Sequence, residues 1–485
     1  MKSLRSDPFA GFWVGAPPAA PGAARAATPA PSDDSPAGLR DLGRRDGLLR
    51  VILWPLAVLL VVHTVFVRAV AGSVTDDFTT VYLAARRFLD RVPVYDEIYH
   101  HVDPHYLYNP GATLLLSPLG LSHHPNAVRM AFILVGAAAI IAALAWLTRL
   151  FGYRASSAVL PLAVCAAFLT EAVRNTLVFA NINGVLLLVF VAFLAWLLRG
   201  RDWAAGVALG LCILIKPMFA PLIVLCVAVW RWRAVVAAVA VPVLANVIAW
   251  PLVPGASDYL TKLAPYLGEV RDYANSSLPG IAVYFGWPDW LRLVLTAVCA
   301  AAVAVAVIVL ARYRFTAPLL WLTTSSGVLL AGVFLLSSLG QQYYSMMLFP
   351  LVFTVLLDRS VVHNWPAWAA LAAIFSPFDW DAEAWGRWGR WVGQFANTAG
   401  WAVLLVVAAA VAVAWWRSER PGGRQATRAS RPAGAARTAG TARPSEAARP
   451  AGAAGKAGAA GDAENTGSGR EYRARRVRFS EKQGK

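Results

Sequence analysis

Three observations predict that this chain is an all-α, polytopic membrane protein. Of its 485 residues, 58% are hydrophobic and 15% are charged, whereas a soluble domain carries roughly 25% charged residues. Apolar runs near the ~20 residues that a helix needs to cross a bilayer recur along most of the chain. These runs are continuous and lack the alternating pattern of a transmembrane β-barrel, which leaves helices as the spanning structure.

Twelve apolar segments are predicted to span the membrane, and the basic turns between them give their orientation. Arginines precede the first segment, 47–70, which places the N-terminus in the cytoplasm by the positive-inside rule. The two shortest segments, 203–215 and 217–230, are predicted to form a hairpin at Lys216-Pro217, because proline removes a backbone donor and favours a bend. The other segments are 126–150, 155–173, 184–199, 234–253, 289–311, 317–338, 344–357, 361–376 and 398–416.

The two termini differ from the rest of the chain in composition. Residues 1–46 are rich in Pro and Ala, lack a signal-peptide core and are predicted to be a disordered cytoplasmic arm. Residues 417–485 carry sixteen Lys and Arg against six Asp and Glu, and so ten of the chain's net charge of +17. They are predicted to be a disordered cytoplasmic tail that is attracted to membrane lipid rather than to nucleic acid. The transmembrane domain is therefore 47–416.

The sequence predicts no metal site and no cofactor. The adjacent histidines His123-His124 have no acid or cysteine at metal-ligand spacing. Four cysteines each lie inside an apolar run and are predicted to be small buried side chains. They are Cys165, Cys212, Cys226 and Cys299.

The loop 71–125 is predicted to lie on the outer face and is polar, aromatic and charged. Long connections are usually functional or disordered, and this one is too aromatic to be disordered. It opens with Asp76 and Asp77 at the membrane rim, where a carboxylate can act as a general base on a hydroxyl group. The alternative is that the pair caps a helix. Hydrogen-bonding groups and stacking faces follow at His105, Tyr106 and Tyr108.

Polar residues also interrupt the apolar sequence at other outer positions. Lys216 can bind a lipid phosphate, or it can extend its ammonium group to the interface. The segment 174–184 contains three Asn and one Arg, and Asn side chains can hold sugar hydroxyls, although Asn183 can instead cap the next helix. The Trp-rich segment 377–397 is predicted to be an interfacial aromatic belt, with sugar stacking as the alternative. Similar polar and aromatic groups occur in the turn Gln341-Gln342-Tyr343-Tyr344.

These residues resemble glycosyltransferase family 87 of the GT-C superfamily, whose members use polyprenyl-phosphate sugars. The resemblance covers residues 50–415, and its longer strings are similar to actinobacterial members that transfer arabinofuranose. Asn109 departs from the family, which often has proline there. The shorter motifs are Tyr82-Leu83-Ala84-Ala85, Pro93-Val94-Tyr95, Tyr108-Asn109-Pro110-Gly111, Asn181-Ile182-Asn183-Gly184 and Lys216-Pro217. The longer strings are 75–78, 102–108, 175–179, 323–330 and 343–350.

The resemblance implies an inverting pentosyltransferase with a GT-C fold in the plasma membrane. Its donor would be decaprenyl-phosphoryl-arabinofuranose. Its acceptor would be the arabinan of arabinogalactan and lipoarabinomannan, on which it would form α-(1→3) branches at the outer face. It assigns the base to Asp77 or Asp76, with Asp77 preferred because it precedes Phe78. The charged side chains of Lys216 or Arg174 would bind the donor phosphate. The substrate-contacting side chains would be Tyr82, His105, Tyr106, Tyr108, Asn181, Asn183, Gln341, Gln342 and Tyr343.

The sequence leaves two other functions open. One is a mannosyltransferase of the same family, which would use polyprenyl-phosphate-mannose as its donor. The other is a transporter of lipid-linked sugars. A transporter would place ionisable residues near the middle of the membrane in broken helices, whereas the acids here cluster at one rim. This distribution favours an enzyme.

Overall fold

The computed structural model describes residues 37–71, 76–99, 105–376 and 383–419. Within these ranges the regular elements are helices without any strand, which confirms the predicted all-α class. Helix α1 includes residues 37–46 of the predicted N-terminal arm; the rest of that arm and the tail beyond 419 lie outside the described residues. The α-helices are α1 (Ala37–Val62), α2 (Asp76–Leu89), α3 (Pro110–Leu116), α4 (Pro125–Leu150), α5 (Val159–Leu169), α6 (Glu171–Val178), α7 (Asn183–Leu198), α8 (Asp202–Ile215), α9 (Ile223–Ala228), α10 (Trp232–Ala249), α11 (Ala264–Gly268), α12 (Leu278–Phe285), α13 (Asp289–Leu310), α14 (Pro318–Leu336), α15 (Phe349–Val352), α16 (Trp365–Ile374) and α17 (Gly386–Ser418).

Helices of other types extend or connect these elements. The π-helices are His63–Val70, which continues α1, and Tyr259–Leu263. The 3-10 helices are Ser117–Leu121, Pro217–Leu222, Ala311–Tyr313, Gln342–Leu348, Phe353–Leu356 and Glu383–Trp385.

Six helical segments of the described chain are long and apolar enough to cross a membrane, which identifies a membrane protein. The pair α5 and α6 is bent by 68° and would add a seventh span. The other predicted spans correspond to shorter apolar helices, so the predicted number of twelve is not confirmed. The six segments are Asp46–Val70, Pro125–Leu150, Trp232–Ala249, Asp289–Tyr313, Pro318–Leu336 and Glu383–Ser418.

The candidate spans differ in how much of their surface the protein itself covers. Only 17% of the most apolar part of Asp46–Val70 is buried, and exposed side chains such as Val51 and Leu59 are apolar. The corresponding buried fraction is 78% for α14. Because exposed apolar surface of this extent is unfavourable in water, α1 has the surface of a lipid-facing helix, whereas α14 packs inside the protein.

A glycine contact brings α7 against α4. A Cβ atom at Gly184 would lie 2.6 Å from the carbonyl oxygen of Gly136, so a larger residue would push the two helices apart. Close approach of small residues is a common way for membrane helices to pack. The contact fixes the first turn of α7, which carries Asn183.

The apolar sequence breaks at Lys216, as the predicted hairpin requires. Helix α8 ends at Ile215, and a 3-10 helix begins at Pro217. Lys216 between them is extended, with φ −135° and ψ 105°, and its N–H donates to the carbonyl oxygen of Cys212 at 2.8 Å. Pro217 has no N–H, so the α-helical hydrogen-bond pattern stops there. The lysine therefore lies at a helix end.

The loop after α1 folds around a small core of its own. The Tyr95 hydroxyl donates to the carbonyl oxygen of Tyr108 at 2.9 Å, and the Tyr106 hydroxyl lies 2.9 Å from the Thr113 hydroxyl. The end of α10 and the loop 250–277, between α10 and α12, complete this core, so the two loops pack against each other. The buried members of the core are Ala84, Val94, Tyr95, Tyr106, Ala249, Val253, Ala256, Leu263 and Tyr266.

The described part of the Trp-rich segment is helical. Helix α17 begins at Gly386 and continues without a break to Ser418, so it joins this segment to the last predicted span. The Trp391 ring packs 5.3 Å from the Phe285 ring, and this apolar contact holds the first turns of the helix against α12. Trp388 is 61% exposed. Trp380 lies outside the described residues.

Candidate functional site

A cavity of about 700 Å³ lies where the loop after α1 and the loop 250–277 meet the ends of several helices. Six stretches of the chain line it. They contribute Asp77 and Thr80; His105, Leu107, Tyr108 and Asn109; Phe179 and Asn181; Ile215, Lys216, Pro217 and Met218; Tyr259, Tyr266, Leu267, Glu269, Arg271, Tyr273 and Ala274; and Val333, Phe334, Ser337, Ser338, Leu339, Gln341, Tyr343 and Tyr344.

Asp77 lies in the first turn of α2 and brings a carboxylate to the cavity wall. Two side chains from distant parts of the chain donate to the same carboxylate oxygen, Oδ2. The Asn181 Nδ2 atom lies 3.0 Å from it, and the Tyr343 hydroxyl lies 3.2 Å from it. The side chain of Asp76 lies outside the described residues, so the structure locates only one carboxylate of the predicted pair.

Asn181 links this carboxylate to a lysine. While its Nδ2 donates to Asp77, its Oδ1 accepts from Lys216 Nζ at 3.3 Å. Lys216 Nζ also donates to Asn183 Oδ1 at 2.8 Å. The amide of one asparagine thus separates a negative group from a positive group and holds both.

The same asparagine replaces the predicted cap of α7. The helix begins at Asn183, so the Asn183 side chain cannot cap it and instead accepts from Lys216. The Asn181 Oδ1 atom accepts from the N–H of Asn183 at 3.1 Å. The prediction that Asn183 caps α7 is therefore wrong. Asn183 is itself the first residue of the helix, and its N–H donates to the side chain of Asn181, two residues earlier.

Lys216 is surrounded by neutral and aromatic groups. Its Nζ lies 4.6 Å from the centre of the Tyr344 ring and 5.5 Å from that of Tyr343, which is the geometry of a cation–π contact. Burial lowers the pKa of Lys216 to about 7, and the negative charge of Asp77 acts in the opposite direction. An anion placed beside this ammonium would raise the pKa again.

Several other predicted site residues also line the cavity. Gln341 lies beside Tyr343, and its side-chain amide contacts the hydroxyl that donates to Asp77. Burial, with a contribution from Asp77, raises the pKa of Tyr108 well above its usual value, so its hydroxyl stays protonated. His105 contributes to the rim, where its Nδ1 lies 3.3 Å from Glu97 Oε2.

The remaining predicted residues do not line this cavity. Tyr82 donates to the carbonyl oxygen of Ser122 at 2.8 Å, and Tyr106 is buried in the loop core. Gln342 donates to the carbonyl oxygen of Gly393. Arg174 lies on α6, where its Nε is 3.5 Å from Asn175 Oδ1. Asn183 lies behind Lys216 and reaches the cavity only through it.

The loop 250–277 supplies residues that the sequence did not single out. Arg271 places its guanidinium 5.1 Å from the centre of the Tyr266 ring and 5.9 Å from that of Tyr273. Glu269 adds a second carboxylate to the lining. The available signal was the concentration of Tyr and charged residues between 259 and 273. Within the described ranges, no group of three or more His, Cys, Asp or Glu side chains is placed to hold a metal ion.

Comparison with known proteins identifies the family. The sequence model of glycosyltransferase family 87 matches residues 106–338. The α-(1→3)-arabinofuranosyltransferase of Corynebacterium glutamicum is 50% identical over 387 residues, which cover 80% of this chain and 92% of the relative. The chain belongs to glycosyltransferase family 87. The enzymes of the same name from Mycobacterium tuberculosis and Mycolicibacterium smegmatis are 46% and 43% identical over 365 residues, which cover 74% of this chain and 84% of each relative. No solved structure matches the chain.

Membership of family 87 confirms the resemblance drawn from the sequence motifs. The matched range contains Asn181, Lys216 and Arg271, whereas Asp77 precedes it. Five of the six stretches that line the cavity lie wholly or partly in the matched range, and the stretch that precedes it adds the carboxylate of Asp77.

Proposed function

We propose that this family 87 member transfers arabinofuranose from decaprenyl-phosphoryl-arabinofuranose to cell-wall arabinan and forms α-(1→3) branches. The support is the identity of 43–50% with relatives named α-(1→3)-arabinofuranosyltransferase. The cavity adds a chemical reason, because its wall holds a carboxylate and an ammonium group on the two ends of one asparagine amide. Glycosyl transfer from a lipid phosphate requires one group of each charge.

The donor would approach along the apolar part of the cavity wall. Pro217, Met218 and Phe334 offer surface for the first units of the lipid tail, and Lys216 lies next to them to receive the phosphate. A volume of about 700 Å³ lies within the usual range for small-molecule sites. The space is sufficient for a pentose, its phosphate and the terminal sugar of an acceptor.

Asp77 would act as the general base. Asn181 and Tyr343 both donate to its Oδ2 atom, which leaves Oδ1 to accept the proton of the acceptor hydroxyl. As that proton leaves, the acceptor oxygen bonds to the anomeric carbon, and the bond from that carbon to the phosphate oxygen breaks. The bonding electrons pass to the phosphate, whose negative charge Lys216 stabilises.

The two charged groups also fit the electronic demand of the reaction. An oxocarbenium-like transition state carries positive charge on the sugar, which favours a carboxylate on one side and a cation at the departing phosphate. Attack and departure on opposite faces of the sugar would invert the anomeric configuration. We therefore include inversion in the proposal.

The proposal extends to the architecture in the membrane. It comprises a GT-C-type arrangement of twelve segments in the plasma membrane, a site on the outer face, and disordered cytoplasmic termini. Short turns rich in arginine support this orientation.

Tags test this orientation. Tags placed after Arg201, Arg314 and Lys485 should be cytoplasmic, and tags near Asp90 and Asp272 should be outside. A cytoplasmic tag at Asp90 would contradict the outward-facing site.

The test of the function is transfer from defined donors. Membranes that contain the chain would receive either labelled decaprenyl-phosphoryl-arabinofuranose or polyprenyl-phosphate-mannose, together with an arabinan oligosaccharide. We expect transfer of arabinose alone, and linkage analysis should show new 3-linked branch points. Transfer of mannose would favour the other family 87 activity, and uptake of intact lipid-linked sugar without transfer would favour a transporter.

A further inference from the structure

Arg271 brings a positive charge to the cavity from the loop 250–277. Tyr266 and Tyr273 contact its guanidinium group at 5.1 and 5.9 Å. Contacts with aromatic faces hold the plane of a guanidinium group while its N–H donors at the edge remain able to bind an anion. Glu269 lines the same cavity, and Asp258 pairs with Lys262.

A buried asparagine fixes the backbone of Arg271. Asn275 is 1% exposed, and its Nδ2 donates to the carbonyl oxygens of Arg271 at 3.0 Å and Ser338 at 2.8 Å. Its Oδ1 accepts from the N–H of Gly340 at 3.0 Å. A Cβ atom at Gly280 would collide with the Asn275 side chain, so glycine is required there. These bonds tie the arginine loop to the turn that precedes Tyr343.

The anchored arginine lines the same cavity as Lys216. The Tyr344 ring is 4.6 Å from Lys216 Nζ, and Tyr344 and Arg271 both belong to the cavity wall. Two cations from different segments of the chain therefore face one cavity.

We infer that Arg271 binds the phosphate of the lipid-linked donor together with Lys216. The inference rests on the proposed function, since it concerns the same donor. A phosphodiester has two non-bridging oxygens, which a guanidinium group can bind in a bidentate manner while an ammonium group supplies a point charge. Arg271 therefore replaces Arg174 as the arginine assigned to the donor phosphate, because Arg271 lines the cavity and Arg174 does not.

Binding of the lipid without its sugar tests this assignment directly. Purified full-length chain in detergent would be titrated with decaprenyl phosphate and, separately, with decaprenol, which lacks the phosphate. Arg271→Gln should weaken binding of decaprenyl phosphate about 10-fold or more, the scale of a lost charge-assisted hydrogen bond. Its affinity for decaprenol should not change.

Two further variants control the measurement. Arg292→Gln makes the same change at an arginine that pairs with Asp289 on the surface, and it should bind decaprenyl phosphate like the wild type. Arg271→Lys keeps the charge but loses the planar fork, so its affinity should lie between those of the wild type and Arg271→Gln. If Arg271→Gln does not accumulate, Arg271→Lys decides: an intermediate affinity supports the assignment, and wild-type affinity overturns it.

The remaining outcomes separate this inference from the proposed function. Wild-type affinity of a folded Arg271→Gln variant for decaprenyl phosphate would overturn the inference alone. So would an unchanged lipid affinity with a raised KM for the arabinan acceptor, which would assign Arg271 to acceptor binding. If the wild type itself bound decaprenyl phosphate and decaprenol equally well, the lipid-phosphate donor of the proposed function would be wrong as well.

Discussion

The loop after α1 and the ends of the buried helices are both rich in polar groups, but these groups have different roles in the structure. In the loop, Tyr95 and Tyr106 fill a small core and bond to other loop groups. At the helix ends, Asn181, Lys216 and Tyr343 meet at the cavity and bond to one another or to Asp77. In the sequence the loop has the larger concentration of polar and aromatic residues, whereas in the structure the helix ends supply more of the residues at the cavity.

The difference follows from what each region needs in order to fold. A long loop between helices must bury apolar area of its own, and aromatic side chains do so with the largest area per residue. A helix end in an apolar chain gains no stability from a lysine, because removing an ammonium group from water is unfavourable. A polar group kept in such a place therefore points to function more strongly than an aromatic group in a loop.

The largest expected effect is that of Asp77→Asn on turnover. The amide keeps the size of the carboxylate and an oxygen that can accept from Asn181 and Tyr343, but it cannot take up the acceptor proton. Turnover should fall by about 100-fold or more, the usual scale for loss of a general base. The measurement is the initial rate of arabinose transfer from labelled donor at matched protein levels.

Asp90→Asn is the matched control for this change. Asp90 follows the same helix, α2, is half exposed and pairs with Arg86, so its variant should transfer arabinose at the wild-type rate. If Asp77→Asn had the turnover of the wild type, Asp77 would not be the general base. The double variant with Asp76→Asn would then show whether the two acids can replace one another.

Lys216→Met should have the next largest effect, on affinity for the donor. Loss of the ammonium group removes a charge-assisted hydrogen bond to the phosphate, which corresponds to about 10-fold or more in apparent affinity. Lys216→Arg should restore part of it, since a fork replaces a point charge. Lys262→Met is the control, because Lys262 pairs with Asp96 and Asp258 outside the cavity. If Lys216→Met kept the donor affinity of the wild type, Lys216 would not bind the phosphate and would only extend its ammonium group to the membrane interface.

The sequence predicted the features that depend on local chemistry. A proline after a lysine within an apolar run indicated the break at 216, and α8 ends one residue before it. Paired acids in the sequence led to the prediction of a base at Asp77 or Asp76. Asp77 lies on the cavity wall, and its role as the base stays a prediction.

The sequence could not predict which side of a helix or loop faces the cavity. Arg174 and Asn181 lie seven residues apart in one polar segment, yet only Asn181 lines the cavity, because α6 ends between them at Val178. Arg271 was missed because its contribution depends on Asn275, which ties two distant loops together. The number of spans was also uncertain because several apolar helices are too short to cross a membrane upright.

A smaller effect is expected from pH. Because burial lowers the pKa of Lys216 to about 7, the side chain is charged below that pH and loses its proton above it. The donor is a phosphodiester whose charge does not change in this range, so its affinity should decrease several-fold as the pH rises from 6 to 8. Lys216→Arg should abolish the dependence, since a guanidinium group stays charged. A wild-type affinity that is constant over this range would contradict a phosphate contact made by Lys216.

The smallest effect on activity is expected in the loop core. Tyr106→Phe removes the hydrogen bond between two buried hydroxyl groups, Tyr106 and Thr113, and should lower the free energy of unfolding by about 1 kcal/mol. The thermal midpoint of the purified protein should fall slightly, while turnover per folded molecule stays at the wild-type value. Tyr343→Phe should lower turnover and leave the thermal midpoint unchanged, because it removes a donor to Asp77 and leaves the loop core intact. If Tyr106→Phe instead lowered turnover without lowering the midpoint, the aromatic loop would have a direct part in catalysis, and the contrast between the two regions would fail.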